Sequence, residues 1–294
     1  MSSCSQKFIT IFINFIMDYN FSNLINAFNQ LKKFRGYSLS RHHERYLFPY
    51  LCGTYFSYRK VDVLRIKAIA DALSNKVSKS IKYLEVGCGN GDFLEKVREY
   101  IPNAKGIESN IDIFYSIGKP KPGYIEITDA KYGIDEFYDI IFVGWMDPGQ
   151  DFRKNIAEKT DIIITTLDSG LSLAAEYEGH GFKKIVKWTT PSWEDVNIEI
   201  NNHFYSNLDT RRLQFLSNLR GAHNFWYVYS KENIKSHLLI DSLKKQILYE
   251  ENKDYKIIPY DFEKILDECG FSFHQCLSNN YINSKTKLWK IDFL

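Results

Sequence analysis

The stretch Tyr83–Leu94, YLEVGCGNGDFL, limits what this chain can fold into more than any other segment. The apolar run from Ile81 to Val86 reads as a strand. Glycines follow at 87, 89 and 91, and a helical pattern resumes through Phe93, Leu94 and Val97. Glycine suits a backbone that must turn sharply and admit a ligand without a Cβ in the way. The spacing narrows the ligand. A dinucleotide fingerprint, G-x-G-x-x-G, would put its third glycine at 92, and that position is Asp92. The chain carries Glu85-x-Gly87-x-Gly89-x-Gly91 instead, an acid first and then glycines on alternate residues.

The segments downstream continue a nucleotide-binding half. Ala104 to Glu108 reads as a second parallel strand, with Glu108 about 17 residues past Gly91, close to the roughly 20 such a half requires. An acid at that strand end accepts two hydrogen bonds at once from adjacent ribose hydroxyls. Tyr124 to Ala130 is a β-rich run that closes on Asp129. Tyr138 to Val143 is continuously apolar, as expected of a strand buried on both faces.

Glu85, Gly87, Gly89 and Gly91, with Glu108 and Asp129 in step, resemble the motifs of the class I S-adenosylmethionine (SAM) dependent methyltransferases. The resemblance implies SAM as cofactor and an α/β fold: a doubly wound, mostly parallel seven-stranded sheet ending in an antiparallel pair. Phe182–Trp188 and Asn224–Lys231 are the candidates for that pair. It also implies that the glycine turn packs under the amino-acid end of SAM and that Glu85 reaches the methionine amino group. Asp129 would then meet the adenine amine. Cys88 is expected to be a small buried side chain.

In such a fold the acceptor sits beyond the fourth strand, which here leads into Gly144-Trp145-Met146-Asp147-Pro148-Gly149-Gln150-Asp151-Phe152. Asp147 is the first candidate for a general base or acceptor-orienting group and Asp151 the second, with Trp145 lining the acceptor side. Asp147-Pro148-Gly149 partly matches the D-P-P-Y/F motif of base-modifying methyltransferases, but Gly149 and Gln150 replace the second proline and the aromatic. The acceptor stays open. A small molecule or protein side chain is favoured, and nucleic-acid base methylation or SAM binding without catalysis are the alternatives.

At 294 residues the chain exceeds one methyltransferase core. Residues 1–17 read as an upstream extension of the frame or a disordered leader, and 18–78 as a helical cap. Within that cap, one helix starts at Ser22 and a second runs from about Val61 to Leu73. The SAM-binding core is expected over 79–232, with an insertion at 189–223. A C-terminal extension then covers 233–294, with an amphipathic helix at Ile234–Leu248, a short helix at Phe262–Cys269, and strands at Phe271–His274 and Lys287–Phe293.

A formal net charge of +2 gives no strong nucleic-acid signal. Five cysteines without a C-x-x-C pair fit a reducing, cytoplasmic setting. Seven scattered histidines show no zinc spacing, so no metal is expected. The most apolar stretch, Phe8–Met17, is about half the length a membrane helix needs.

Overall fold

The computed structural model describes residues 57–77, 80–116, 120–144, 146, 150–167, 176–190, 225–231, 236–252, 254, 256–260, 262–266 and 291–294. The chain enters on helix α1 (Lys60–Val77), then passes through strand β1 (Tyr83–Val86), helix α2 (Asp92–Arg98), strand β2 (Lys105–Glu108) and the short helix α3 (Asp112–Ser116). Next come β3 (Ile125–Ile127), a 3-10 turn at Ala130–Tyr132, β4 (Ile140–Val143), α4 (Arg153–Ala157) and β5 (Ile162–Leu167). The described C-terminal elements are β6 (Phe182–Thr189), β7 (Phe225–Lys231), α5 (Ser236–Glu251), α6 (Glu263–Leu266) and β8 (Ile291–Phe293).

The strands form one sheet in the order β3-β2-β1-β4-β5-β7-β6-β8. The pairs from β3 to β5 are all parallel, while β7 runs antiparallel between β5 and β6. This is the doubly wound, mostly parallel sheet with an antiparallel end that the resemblance implies. The count differs from expectation. Among the described residues the sheet has eight strands rather than seven, because Ile291–Phe293 adds antiparallel to β6 and pairs with its edge.

Period-two alternation explains why the central strands read as unbroken apolar runs. Ile140 and Phe142 of β4 enter one core with Ile66 and Ile69 of α1, Phe93 and Val97 of α2, and Leu239 and Leu243 of α5. Ile141 and Val143 enter a second core on the opposite face with Val86, Ile107, Ile156 and Tyr229. Each fully buried residue of this size contributes about 1.5–3 kcal/mol, so both faces of the sheet stabilise the same strand.

The C-terminal extension is part of this packing. Ser242 of α5 donates to the Ala68 carbonyl of α1 at 2.7 Å. Arg65 of α1 forks onto Glu250 of α5, Nη2 to Oε2 at 2.8 Å and Nε to Oε1 at 3.3 Å, with both side chains buried. Arg59 Nε donates to Glu263 Oε1 of α6 at 2.9 Å, also buried. Asp62 is fully buried between these pairs and accepts from Trp188 Nε1 at 2.8 Å and from the Arg59 backbone N–H at 2.7 Å. The first helix expected in the cap, the insertion at 189–223 apart from its first two residues, and the strand at Phe271–His274 lie outside the described residues.

Candidate functional site

Strand order reverses between β1 and β4. The chain leaves β1 outward to β2 and β3, then returns to place β4 on the other side of β1. In an open α/β sheet a crevice forms outside the carboxyl ends of the strands at such a point. A cavity of about 510 Å³ lies there, walled by the end of β1, the glycine turn, the ends of β2 and β3, Gly144 after β4, and Gln150 and Phe152.

The turn owes its shape to its glycines. Gly89 and Gly91 have φ of 55° and 79°, left-handed values at which an L side chain is strained. Gly87 N and Cys88 N donate to the Ile107 carbonyl at 3.0 and 3.2 Å, which hangs the turn on the end of β2. Cys88 is buried, as expected, against Gly106, where an added Cβ would stand 2.7 Å from its Sγ.

Glu85 lines the cavity from the central strand and is only 1% exposed. Its Oε2 has no hydrogen-bond partner among the described residues. Burial first, and the neighbouring Asp92 charge second, push its carboxyl well above the ordinary carboxylate range. Glu108 is held from two sides: Gly89 N donates to Oε2 at 2.9 Å and Asn110 N to Oε1 at 3.0 Å. The acid of β2 therefore braces the glycine turn as well as facing the cavity. Asp129 also lines it while capping the 3-10 turn, accepting from Lys131 N at 2.9 Å, and Lys131 Nζ lies 3.7 Å from its other oxygen.

Gly87 and Gly89 line the cavity with Glu85, Glu108 and Asp129, whereas Gly91 does not. A Cβ at Gly91 would stand 2.5 Å from Ile125 Cδ1, so this glycine lets α2 start close against β3. Asp151 departs further from expectation. It is absent from the lining, and Arg153 clamps it through Nε at 2.9 Å and Nη2 at 2.7 Å. Those bonds hold its carboxyl down at about 2, which disfavours it as a base near neutral pH. Trp145 and Asp147 lie outside the described residues.

Sequence reasoning missed Asp92, Asp112, Gln150 and Phe152, which all line the cavity. Asp92 had a signal, since it interrupts the dinucleotide spacing. Phe152 had a weaker one, as an aromatic in a polar loop that is buried at 9% exposure. The lining thus carries five carboxylates, on Glu85, Asp92, Glu108, Asp112 and Asp129, and among the described residues no Lys, Arg or His. No group of His, Cys, Asp and Glu among the described residues is arranged to hold a metal ion. No described helix is long and apolar enough to cross a membrane.

No protein-family model matches the chain, and no curated protein is similar to it in sequence. Solved structures with similar folds include the plantazolicin methyltransferase BpumL in complex with a monoazolic desmethylPZN analogue and SAH. That match has 15% identity, covers 59% of this chain and 85% of that one, and has a TM-score of 0.34. PH1948 from Pyrococcus horikoshii, assigned as an RNA methyltransferase, matches at 14% identity over 57% of this chain and 84% of its own, with a TM-score of 0.35. The StiE O-MT segment, residues 961–1257, matches at 14% identity over 64% of this chain and 79% of its own, with a TM-score of 0.36. Values this low fix neither substrate nor activity, so the functional reading stands on the sheet order and the cavity.

Proposed function

We propose that this chain is a SAM-dependent methyltransferase that binds SAM in the cavity at the carboxyl edge of its sheet. The observation that carries the reading is Glu85, a buried carboxylate with an unpartnered oxygen in a lining that is otherwise acidic. Phosphate-bearing cofactors need cations and free backbone donors, and a wall of five carboxylates repels them. An ammonium beside a sulfonium is the complementary ligand, and it gives the Glu85 oxygen its missing donor. SAM, when bound, supplies a methyl group already activated by the sulfonium.

The chain's own residues then hold and orient. Glu85 takes the amino group. Glu108, fixed by Gly89 N and Asn110 N, keeps lone pairs for ribose hydroxyls. Asp129, on the cavity wall, takes the adenine amine in this reading, and Phe152 contributes an apolar wall. With Asp151 committed to Arg153, Asp147 is the loop acid left to orient an acceptor. That acceptor is a small molecule or a protein side chain, since a net charge of +2 is only a slight excess of cations for a phosphate backbone.

Calorimetry with SAM and S-adenosylhomocysteine tests the reading directly. Both ligands bind the folded protein, and Gly89→Arg abolishes binding because it adds a cationic side chain to the turn at a positive φ. That variant still melts cooperatively, lower by no more than the ~1–3 kcal/mol that a strained φ costs. Absence of binding by the folded wild-type protein refutes the proposal.

A further inference from the structure

A glycine-rich turn that takes a phosphate leaves its backbone N–H groups free to face it. This turn spends them on the protein itself. Gly87 N and Cys88 N donate to the Ile107 carbonyl at 3.0 and 3.2 Å, Gly91 N to the Cys88 carbonyl at 2.9 Å, and Asp92 N to Asn90 Oδ1 at 3.1 Å. The remaining glycine amide, Gly89 N, donates to Glu108 Oε2 at 2.9 Å. That bond differs in kind, because its acceptor is an acid from the end of another strand. Glu108 is fixed from its other side as well: Asn110 N donates to Oε1 at 3.0 Å and Ser109 Oγ lies 3.5 Å from the same oxygen. Gly87, Gly89 and Glu108 all line the cavity. A fixed carboxylate therefore occupies the donor that a phosphate would use.

We propose that Glu108 is a specificity-determining residue: by holding the Gly89 N–H with its own carboxylate, it makes the cavity accept an adenosine group that bears no phosphate at its 5′ carbon. The proposal rests on the SAM reading above and adds a rejecting role to the ribose contact. The same carboxylate acts in two directions. Each oxygen gives a lone pair to a backbone N–H and keeps another, and ribose hydroxyls can donate to those. An ionised phosphate has only acceptors. It finds the Gly89 N–H taken, offers nothing to the free lone pairs and meets a like charge. Among the described lining residues no Lys, Arg or His offsets that charge. Glu85, only 1% exposed and with no partner for Oε2 among the described residues, independently marks the cavity as built around a ligand.

One unit of charge about 5–6 Å from another in a partly screened site changes affinity by about tenfold, and a phosphate carries about 1.5 to 2 at neutral pH. Calorimetry on the full chain compares SAM, 5′-methylthioadenosine, which is uncharged, and adenosine 5′-monophosphate (AMP). The wild-type protein binds 5′-methylthioadenosine at least about tenfold more tightly than AMP, and added salt narrows that gap by screening the repulsion. Glu108→Gln keeps the shape and removes the charge. It weakens 5′-methylthioadenosine through its ribose bonds and relieves AMP of the repulsion, so the gap narrows by about tenfold at fixed salt. AMP binding as tightly as 5′-methylthioadenosine to a wild-type protein that binds SAM overturns the proposal and leaves the SAM reading intact. So does a gap that is unchanged in folded Glu108→Gln, or one that salt does not alter in the wild type. If neither SAM nor 5′-methylthioadenosine binds the folded wild-type protein, the SAM reading falls and the proposal with it. The salt series uses only the wild-type protein, so it decides the matter even if the variant does not fold.

Discussion

Glu85→Gln separates what the site needs from what the fold tolerates. Glu85 is 1% exposed, has an oxygen with no partner among the described residues, and shares its environment with Asp92. Its carboxyl titrates well above the unfolded value of about 4.3. The sign of the pH effect follows. The folded state holds the Glu85 proton more tightly than the unfolded chain does, so the stability contributed by the protonated form is complete below about pH 4. It is lost as pH rises through the folded pKa. Glutamine keeps the shape and removes the charge. Burying the charged form is what burial penalises, so the neutral amide should leave the variant more stable than the wild type at pH 8. The difference should vanish near pH 4. For a chain of this size that is a rise in Tm of roughly 2–4 °C per kcal/mol. Binding should move the opposite way: losing a charge-assisted hydrogen bond of about 1.5–3 kcal/mol weakens SAM by about 10- to 100-fold. Melting curves from pH 4 to 8, paired with calorimetry at pH 8, measure both. A variant less stable than wild type at pH 8, or one that binds SAM as well, refutes the reasoning.

Three further outcomes follow from the packing. Glu250→Ala breaks the buried ion pair with Arg65, which costs about 3–5 kcal/mol and lowers Tm by roughly 6–20 °C, whereas Arg65→Met with Glu250→Leu recovers most of it in the same melt. Asp62 is pushed up to about 7 by burial, against the opposing Arg65 charge and its bonds from Arg59 and Trp188, so its contribution to stability is full below about pH 4 and lost as pH rises through about 7. Asp62→Asn therefore flattens the fall in Tm across that window in melts recorded at matched ionic strength. Asp151→Ala removes an exposed pair with Arg153, so it changes stability by less than about 1 kcal/mol and SAM affinity by less than about twofold. A large loss of SAM affinity there would return Asp151 to the site.

The parts of the fold legible in the sequence are those with a local cause. β4 is visible because a strand buried on both faces is apolar at every position, β1 because three of its four residues are apolar around Glu85, and the glycine turn because no other residue holds left-handed values at alternate positions so readily. Glu108 and Asp129 are legible because strand ends at this spacing bring carboxylates to one edge. Gly91 was visible as a glycine but not by its job, since only the packed structure shows Ile125 occupying the space its Cβ would need. The partner of Asp151 is local but was not read from the sequence: Arg153, two residues on, bonds both of its carboxylate oxygens.

What stayed hidden depends on long-range partners. Arg65 meets Glu250 across 185 residues and Arg59 meets Glu263 across 204, and neither pair follows from periodicity or spacing. The strand expected at Lys287–Phe293 is present as β8 (Ile291–Phe293), but its place against β6 depends on the same kind of distant partner and was not legible. These contacts bear on the site through one physical connection. Tyr58 packs edge-on against Phe93, Tyr260 and Phe262 and also donates to the Asp92 carbonyl, so the C-terminal segment and the start of α2 share a buried aromatic cluster. Arg59–Glu263 and the Glu263 carboxylate's bond from the Tyr260 N–H tie that cluster to the segment before α1, so the packing that sets the start of α2 depends on residues 204 positions apart and could not be read from local pattern.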